Sequence, residues 1–169
     1  MKIPRIALAA YGFAILIIIV DQLTKAWVLN GVGLRFEGQS VAVLAPIFSL
    51  TLVHNEGVSF GLFGDGSARW MLSLFSVVVA GILGWWALRA ERRLLITAIG
   101  LIMGGAIGNV IDRIRFGWVV DFLDFSGTGF FPWVFNVADS AITVGVVLLI
   151  LDSILSERAA KVGVAAEKS

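Results

Sequence analysis

Residues Trp70–Leu88 read WMLSLFSVVVAGILGWWAL, an uncharged apolar run closed at both ends by arginine, Arg69 and Arg89. As a helix it would extend roughly 30 Å, the thickness of a bilayer's hydrocarbon core. Three further segments read the same way. Leu94–Ile111 is also uncharged, and Ile6–Val20 is apolar apart from Tyr11 and Gly12, continuing from Leu23 to Leu29 past Asp21 and Lys25. Val137–Leu151 carries one acid near its start, Asp139, with Asp152 just beyond its end. The pattern predicts spans at about 6–29, 70–88, 94–114 and 137–155.

The composition agrees. Of 169 residues, 59% are hydrophobic and 15% charged, and mean hydropathy is +0.95. Too little polar material remains to cover a water-exposed surface. Lys2 and Arg5 before an apolar run also fit a cleavable signal peptide, but no small-residue cleavage site follows and three more spans remain. A net charge of +1 suggests no nucleic-acid partner. With no cysteine and one histidine, His54, disulfides, thiolate zinc sites and a cysteine nucleophile are excluded, and an all-protein transition-metal site is disfavoured.

Lys and Arg near span ends set the expected orientation. Lys2, Arg5, Arg89, Arg92, Arg93, Arg158, Lys161 and Lys168 fall on one side; Lys25, Arg35, Arg69, Arg113 and Arg115 fall on the other. The richer side should be cytoplasmic, with both termini. Trp27, Trp70, Trp118 and Trp133 then sit at outer span ends and Trp85 and Trp86 at an inner one, as aromatic belts do.

Two outer segments break the hydrophobic pattern. Within 30–68, Val41–Leu44 and Phe48–Val53 are β-prone runs separated by Pro46, and Phe48, Leu50 and Leu52 alternate with Ser49, Thr51 and Val53. Gly57, Gly61, Gly64 and Gly66 then punctuate a turn-rich stretch. Phe116–Phe135, with Gly117, Gly127, Gly129 and Pro132, reads as a loop at the outer interface. The fold expected is a single membrane-embedded α-helical domain over 1–169. It has four transmembrane helices, a small extracytoplasmic β-rich segment at about 30–68, an outer interfacial loop and a solvated cytoplasmic tail at about 156–169. Gly100, Gly104 and Gly108 recur every fourth residue, a helix-packing spacing.

Ionisable groups beside hydrocarbon are costly, so their placement is informative. Asp21 and Lys25 lie one turn apart near the outer end of the first span. Asn109, Asp112 and Arg113 close the third, Asp121 and Asp124 come next, and Asn136 and Asp139 open the fourth. All gather at one depth. Each has a plain alternative: an ion pair for Asp21 with Lys25, an arginine partner for Asp112, a solvated acid for Asp124, a favourable helix N-terminus for Asp139. A Ser–His system would need His54, which has no nucleophile motif around it, and a Ser–Lys system would need Lys25, which already has an Asp neighbour. Two facing carboxylates require no cofactor: one keeps a proton while the other acts as base. Which two acids face each other is open at this point.

The run GGAIGNVIDRIRFGWVVDF (Gly104–Phe122) and the run FNVADSAI (Phe135–Ile142) resemble lipoprotein signal peptidase, the signal peptidase II family. VDQLTK (Val20–Lys25) and HNEGVSFG (His54–Gly61) resemble the family's two other blocks, in the same order, so that only the C-terminal tail is unmatched. The resemblance implies four transmembrane helices with cytoplasmic termini and an outer β-structure cradling the substrate. It implies hydrolysis, in the bacterial inner membrane, of the bond before a diacylglyceryl-modified cysteine in prolipoproteins. Asp121 and Asp139 would form the catalytic pair, and Asn109, Arg113 and Asn136 would shape the pocket. Asp21, Lys25, Asn55 and Gly57 would support or contact substrate, with Asp112 structural through Arg113. Globomycin-type inhibitors would occupy the same cleft. His54 and Glu56 make the block around Asn55 less regular than the others. A small proton-coupled transporter is the rival reading, but such proteins favour internal repeats and midplane sites, and here there is no repeat and the acids collect at one end. A non-catalytic scaffold would leave the polar cluster without a purpose.

Overall fold

The computed structural model describes residues 5–57 and 67–167; Gly61, Gly64, Gly66 and the end of the HNEGVSFG block lie outside them. Four long helices form a bundle: α1 (Arg5–Ala26), α2 (Ser67–Ala87), α3 (Arg93–Arg115) and α4 (Val137–Glu167). Each is long and apolar enough to cross a membrane, over Ile6–Val32, Ala68–Ala87, Arg93–Arg115 and Val137–Lys161. The first span continues past Ala26 as a π-helical turn, Trp27–Val32, which stops at Gly33 with φ 84°. A positive φ there is one that glycine adopts without strain. The last helix outruns expectation: residues 156–167, expected as a solvated tail, continue α4.

The third helix is the hub. In its most apolar stretch 72% of residues are buried, against 22–28% in the other three. Its glycines explain how. A Cβ on Gly100 would come within 2.7 Å of the Ala10 carbonyl oxygen, and one on Gly104 within 2.7 Å of the Ala14 carbonyl oxygen and Ile17 Cβ. These two positions let α1 lie directly on α3. A second face takes α4, because Gly105 meets the Ala138 carbonyl and Gly145 meets the Ala98 carbonyl and Ile102. Facing the other way, Ile15, Leu16, Leu74, Phe75 and Val147 are all more than half exposed, as suits side chains whose solvent is lipid.

Gly104→Ala is accordingly expected to destabilise the protein by about 1–3 kcal/mol, read as a lower Tm in detergent micelles. Gly12→Ala, with nothing within 4 Å of its added Cβ, should be neutral or mildly stabilising. An unchanged Tm for Gly104→Ala would contradict close α1–α3 packing.

A four-stranded antiparallel sheet covers one end of the bundle, in the order β1 (Ser40–Leu44), β2 (Phe48–Asn55), β3 (Val119–Asp124), β4 (Val134–Phe135). The first two strands fall on the two β-prone runs, and β2 follows the alternation read from the sequence, with Leu50 and Leu52 buried. The segment 116–135 is a correction. It was expected as loop, but Val119–Asp124 forms a central strand, pairing His54 with Val120 and Leu123 with Phe135. Strand formation there depends on partners distant in sequence, which a local reading among glycines does not reveal. The sheet packs Leu50, Leu52, Val120 and Phe122 onto Val28 and Leu34 at the end of the first span. A separate apolar core built on Ala10, Ala14, Leu83, Ile96 and Ile99 fills the bundle. Buried polar side chains Asp21, Lys25, Asn109, Asp112, Asp121 and Asn136 come from the sheet-side ends of α1 and α3, from β3, and from the start of α4.

Candidate active site

Lys25 is the centre of a buried charge cluster. Its side chain is 3% exposed, and its ammonium lies 2.8 Å from Asp21 and 2.7 Å from Asp112. A third bond, 3.2 Å, goes to Asn109 Oδ1, so all three ammonium protons are used. Gln22 donates to Asp112 Oδ1 at 2.8 Å and to Asp21 Oδ2 at 3.2 Å. Gly108 makes room for this: a Cβ there would come within 2.7 Å of Asp21 Oδ2. The pairing expected between Asp112 and Arg113 is replaced by these contacts. Asp112 sits just within the end of α3, on the side that meets α1, where Lys25 is within reach.

The two acids also grip backbone. Asp21 Oδ1 accepts the Ala138 N–H at 3.0 Å, near the start of α4, and Asp112 Oδ2 accepts the Val120 N–H at 3.1 Å, one residue before Asp121. One ion cluster therefore holds both elements that bear the remaining acids, and a helix N-terminus suits a carboxylate.

Asp139 is the third residue of α4 and Asn136 stands immediately before the helix. The two cap each other: the Asp139 N–H donates to Asn136 Oδ1 at 2.9 Å, and the Asn136 N–H to Asp139 Oδ2 at 3.3 Å. This is the reciprocal arrangement of a capping box, with aspartate in the place of the usual glutamate. The Asn136 amide nitrogen meanwhile donates to Asp121 Oδ1 at 2.7 Å, and to Asn109 Oδ1 at 3.2 Å. Asn109 completes the circuit by donating to Asp139 Oδ1 at 2.8 Å. Asn136 thus touches both acids, while Lys25 fixes which way the Asn109 amide points.

Asp121 comes from the middle of β3 and is 2% exposed. Asn55 lies on β2, two residues beyond Val53, the residue opposite Asp121, so the strand period puts both on one face. Its amide donates to Asp121 Oδ2 at 2.9 Å while its own carbonyl accepts the Gly57 N–H at 2.8 Å. Gly57 has φ 81° and backs onto Leu72 and Arg113, so a side chain there would be both strained and crowded. Burial, then the negative charge of Asp139, push the Asp121 carboxyl up to about 7; the bonds from Asn55 and Asn136 and the Lys25 charge oppose them.

A cleft of about 800 Å³ opens onto Asp121. Arg113, Asn55 and Gly57 line it, with Trp133 and Leu72 as its apolar wall. Asp139 also borders a smaller apolar groove formed by Phe131, Phe135 and Val144. His54 and Glu56 line the main cleft too; His54 stacks on Trp118 with ring centres 3.6 Å apart and lies 3.8 Å from the Glu37 carboxylate. Trp118, just before β3, stacks on the β2 residue His54. Asp124 stands apart at the end of β3, where hydrogen bonds from Ser126 and Thr51 hold its carboxyl below the usual range. Gln22 is the residue that sequence reasoning passed over, although an amide beside Asp21 in an apolar helix was itself a signal. Among the described residues no three of His, Asp and Glu are placed to hold a metal ion. The arrangement offers two acids bridged by Asn136, one of which raises the carboxyl of the other through its charge, with an arginine beside an open cleft.

Comparison with known proteins converges on one group. Residues 13–155 match the family model described as signal peptidase (SPase) II. A lipoprotein signal peptidase of Caulobacter vibrioides is 51% identical over 159 residues, 93% of each chain. One from Shewanella loihica is 44% identical over 88% of this chain and 87% of its own. A solved bacterial membrane enzyme, determined by the in meso method at 2.3 Å, superposes with a TM-score of 0.73 at 28% identity, covering 90% of both chains. A family match across most of the four-helix bundle and its sheet, joined to near-full-length identity above half, places this chain in the signal peptidase II family.

Proposed function

We propose that Asp121 and Asp139 are the catalytic pair with which this multi-pass bacterial membrane protease removes signal peptides from prolipoproteins. The observation that carries the assignment is Asn136, which hydrogen-bonds Asp121 with its side-chain amide and Asp139 with its backbone N–H. The pair holds one proton. Asp121 carries it, its carboxyl pushed up to about 7 by burial and the charge of Asp139, and Asp139, which accepts from the Asn109 amide, is the base. Asp139 takes a proton from water as that water attacks the scissile carbonyl, while the Asp121 proton polarises the carbonyl oxygen. Proton return to the amine completes hydrolysis. Arg113 and Asn55 line the cleft where the peptide backbone would lie.

The bond cleaved is the one before the diacylglyceryl-modified cysteine, and a globomycin-type inhibitor would take the same cleft. A lipid-anchored substrate presents its scissile bond at the membrane surface, so catalysts belong at an interface, reached sideways between helices. The sheet-bearing end faces outward, and both termini lie in the cytoplasm, as the distribution of Lys and Arg favours. The purified protein in detergent should convert a lipidated precursor and leave its unlipidated form intact; equal cleavage of both would overturn the lipid requirement.

The shared proton sets a pH dependence. The acid limb falls as pH rises through about 7, so kcat/KM should be about 100-fold lower at pH 9 than at pH 6. A flat profile over that range would contradict Asp121 as the proton holder.

A further inference from the structure

We propose that the cavity between the α2–α3 turn and the middle of α4 binds an anionic glycerophospholipid, with its phosphate on Arg92. The cavity is about 400 Å³ and lies about 20 Å along α4 from Asp139, by the rise of the helix. It shares no residue with the catalytic cleft.

Its lining changes character along α4. Trp86, Leu95 and Leu149 form an apolar wall, while Ser153 and Ser156, up to two turns further on, form a polar rim with Arg92. From Leu149 to Ser156 the helix rises about 10 Å, the scale that separates a phosphate from the first methylenes of its acyl chains. Arg92 is fixed in place. Its guanidinium lies 2.6 Å from the Asp152 carboxylate and also donates to the Ser156 hydroxyl. The pair is asymmetric, because the Asp152 side chain is 6% exposed and that of Arg92 is 50% exposed. Asp152 thus orients the guanidinium and leaves much of it accessible to a further anion. Arg89 and Arg93 flank it and are exposed, so cations outnumber Glu91 and Asp152. Arg89 stacks over Trp85 at 4.1 Å, an aromatic–cation pair suited to the headgroup layer. Charge and lining together select the occupant. A soluble phosphate would leave the apolar wall unused, and a zwitterionic lipid would leave the excess positive charge unanswered. An anionic phospholipid answers both.

The test is protein in nanodiscs of phosphatidylcholine alone, or with phosphatidylglycerol added, followed by Tm and by native mass spectrometry. Phosphatidylglycerol should raise Tm by about 3–6 °C and remain bound to the released protein. Arg92→Gln with Asp152→Asn removes both charges without stranding a buried carboxylate, and should abolish both effects. Ser153→Phe fills the rim without touching the ion pair, and should abolish them too if the double variant does not fold. Equal Tm in the two bilayers, an undiminished shift in these variants, or the full shift from soluble glycerol phosphate would each overturn the proposal.

Discussion

Asp121→Asn is expected to lower kcat for prolipoprotein processing by about 10³-fold or more while the protein still folds in membranes, and Asp139→Asn should do the same. General acid–base groups contribute roughly 10²–10⁴-fold each, and two that share one proton act as a unit, so losing either removes nearly the whole effect. The folded state should survive because asparagine fills the same space. A buried Asp121 whose carboxyl is pushed to about 7 is a liability to the fold once ionised. With its folded pKa raised above the unfolded value, its favourable contribution is present at low pH and lost as pH rises from about 4 towards 7. The cost above that window is at most about 4 kcal/mol. Asparagine does not ionise, so the variant's stability should be less pH-dependent over this interval. One offset is expected, because Asn55 and Asn136 both donate to Asp121 and an amide can accept from only one side, at about 1 kcal/mol. Inactivity joined to a flatter stability profile separates a catalytic loss from misfolding. Full processing by either variant would sink the pairing, and Asp112 would be the next candidate. Geometry argues against Asp112: it is fully buried, and its oxygens are taken by Lys25, Gln22 and the Val120 N–H. One acceptor site remains on Oδ1, and complete burial closes it to a substrate water.

Much of the fold is legible in the residues themselves. Uncharged runs such as Trp70–Leu88 predict helices because hydrocarbon allows little else, and the glycines at 100, 104 and 108 predict a close helix contact. The gathering of Asp21, Asp112, Asp121 and Asp139 at one end follows from where the runs stop. Illegible was anything fixed by distant partners. Val119–Asp124 is a strand because Phe48–Asn55 lies beside it, some 65 residues away, and Gly105 gives no sign by spacing that it seats α4. Asp112 is adjacent in sequence to Arg113 yet pairs with Lys25, because position on a helix circumference, not adjacency, decides contact. Asn136 reads as a helix cap, which it is, and nothing local reveals that the same side chain reaches Asp121.

Lys25→Met carries the largest expected stability effect. It leaves Asp21 and Asp112, both 0% exposed, as buried carboxylates without a counter-charge, and breaking a buried ion cluster in this way costs about 3–5 kcal/mol. Processing should fall with it, for a reason distinct from unfolding. Without the ammonium, Asn109 Oδ1 loses one of its donors, and its amide is freer to turn its oxygen towards Asp139. Asp21 and Asp112 hold the Ala138 and Val120 N–H groups, so repulsion between them would shift α4 against β3 and spread the catalytic pair. Neutralising the whole cluster separates these effects. Lys25→Met with Asp21→Asn and Asp112→Asn should recover most of the lost Tm, since uncharged groups of similar size often replace buried ions without penalty. It should not recover kcat, because Asn109 Oδ1 then keeps only the Asn136 donor and its amide is less firmly oriented towards Asp139. KM should change less than kcat, since Lys25 does not line the main cleft. A triple variant with both Tm and turnover restored would show that Lys25 merely neutralises its neighbours, and that the aspartate pair is aligned without it.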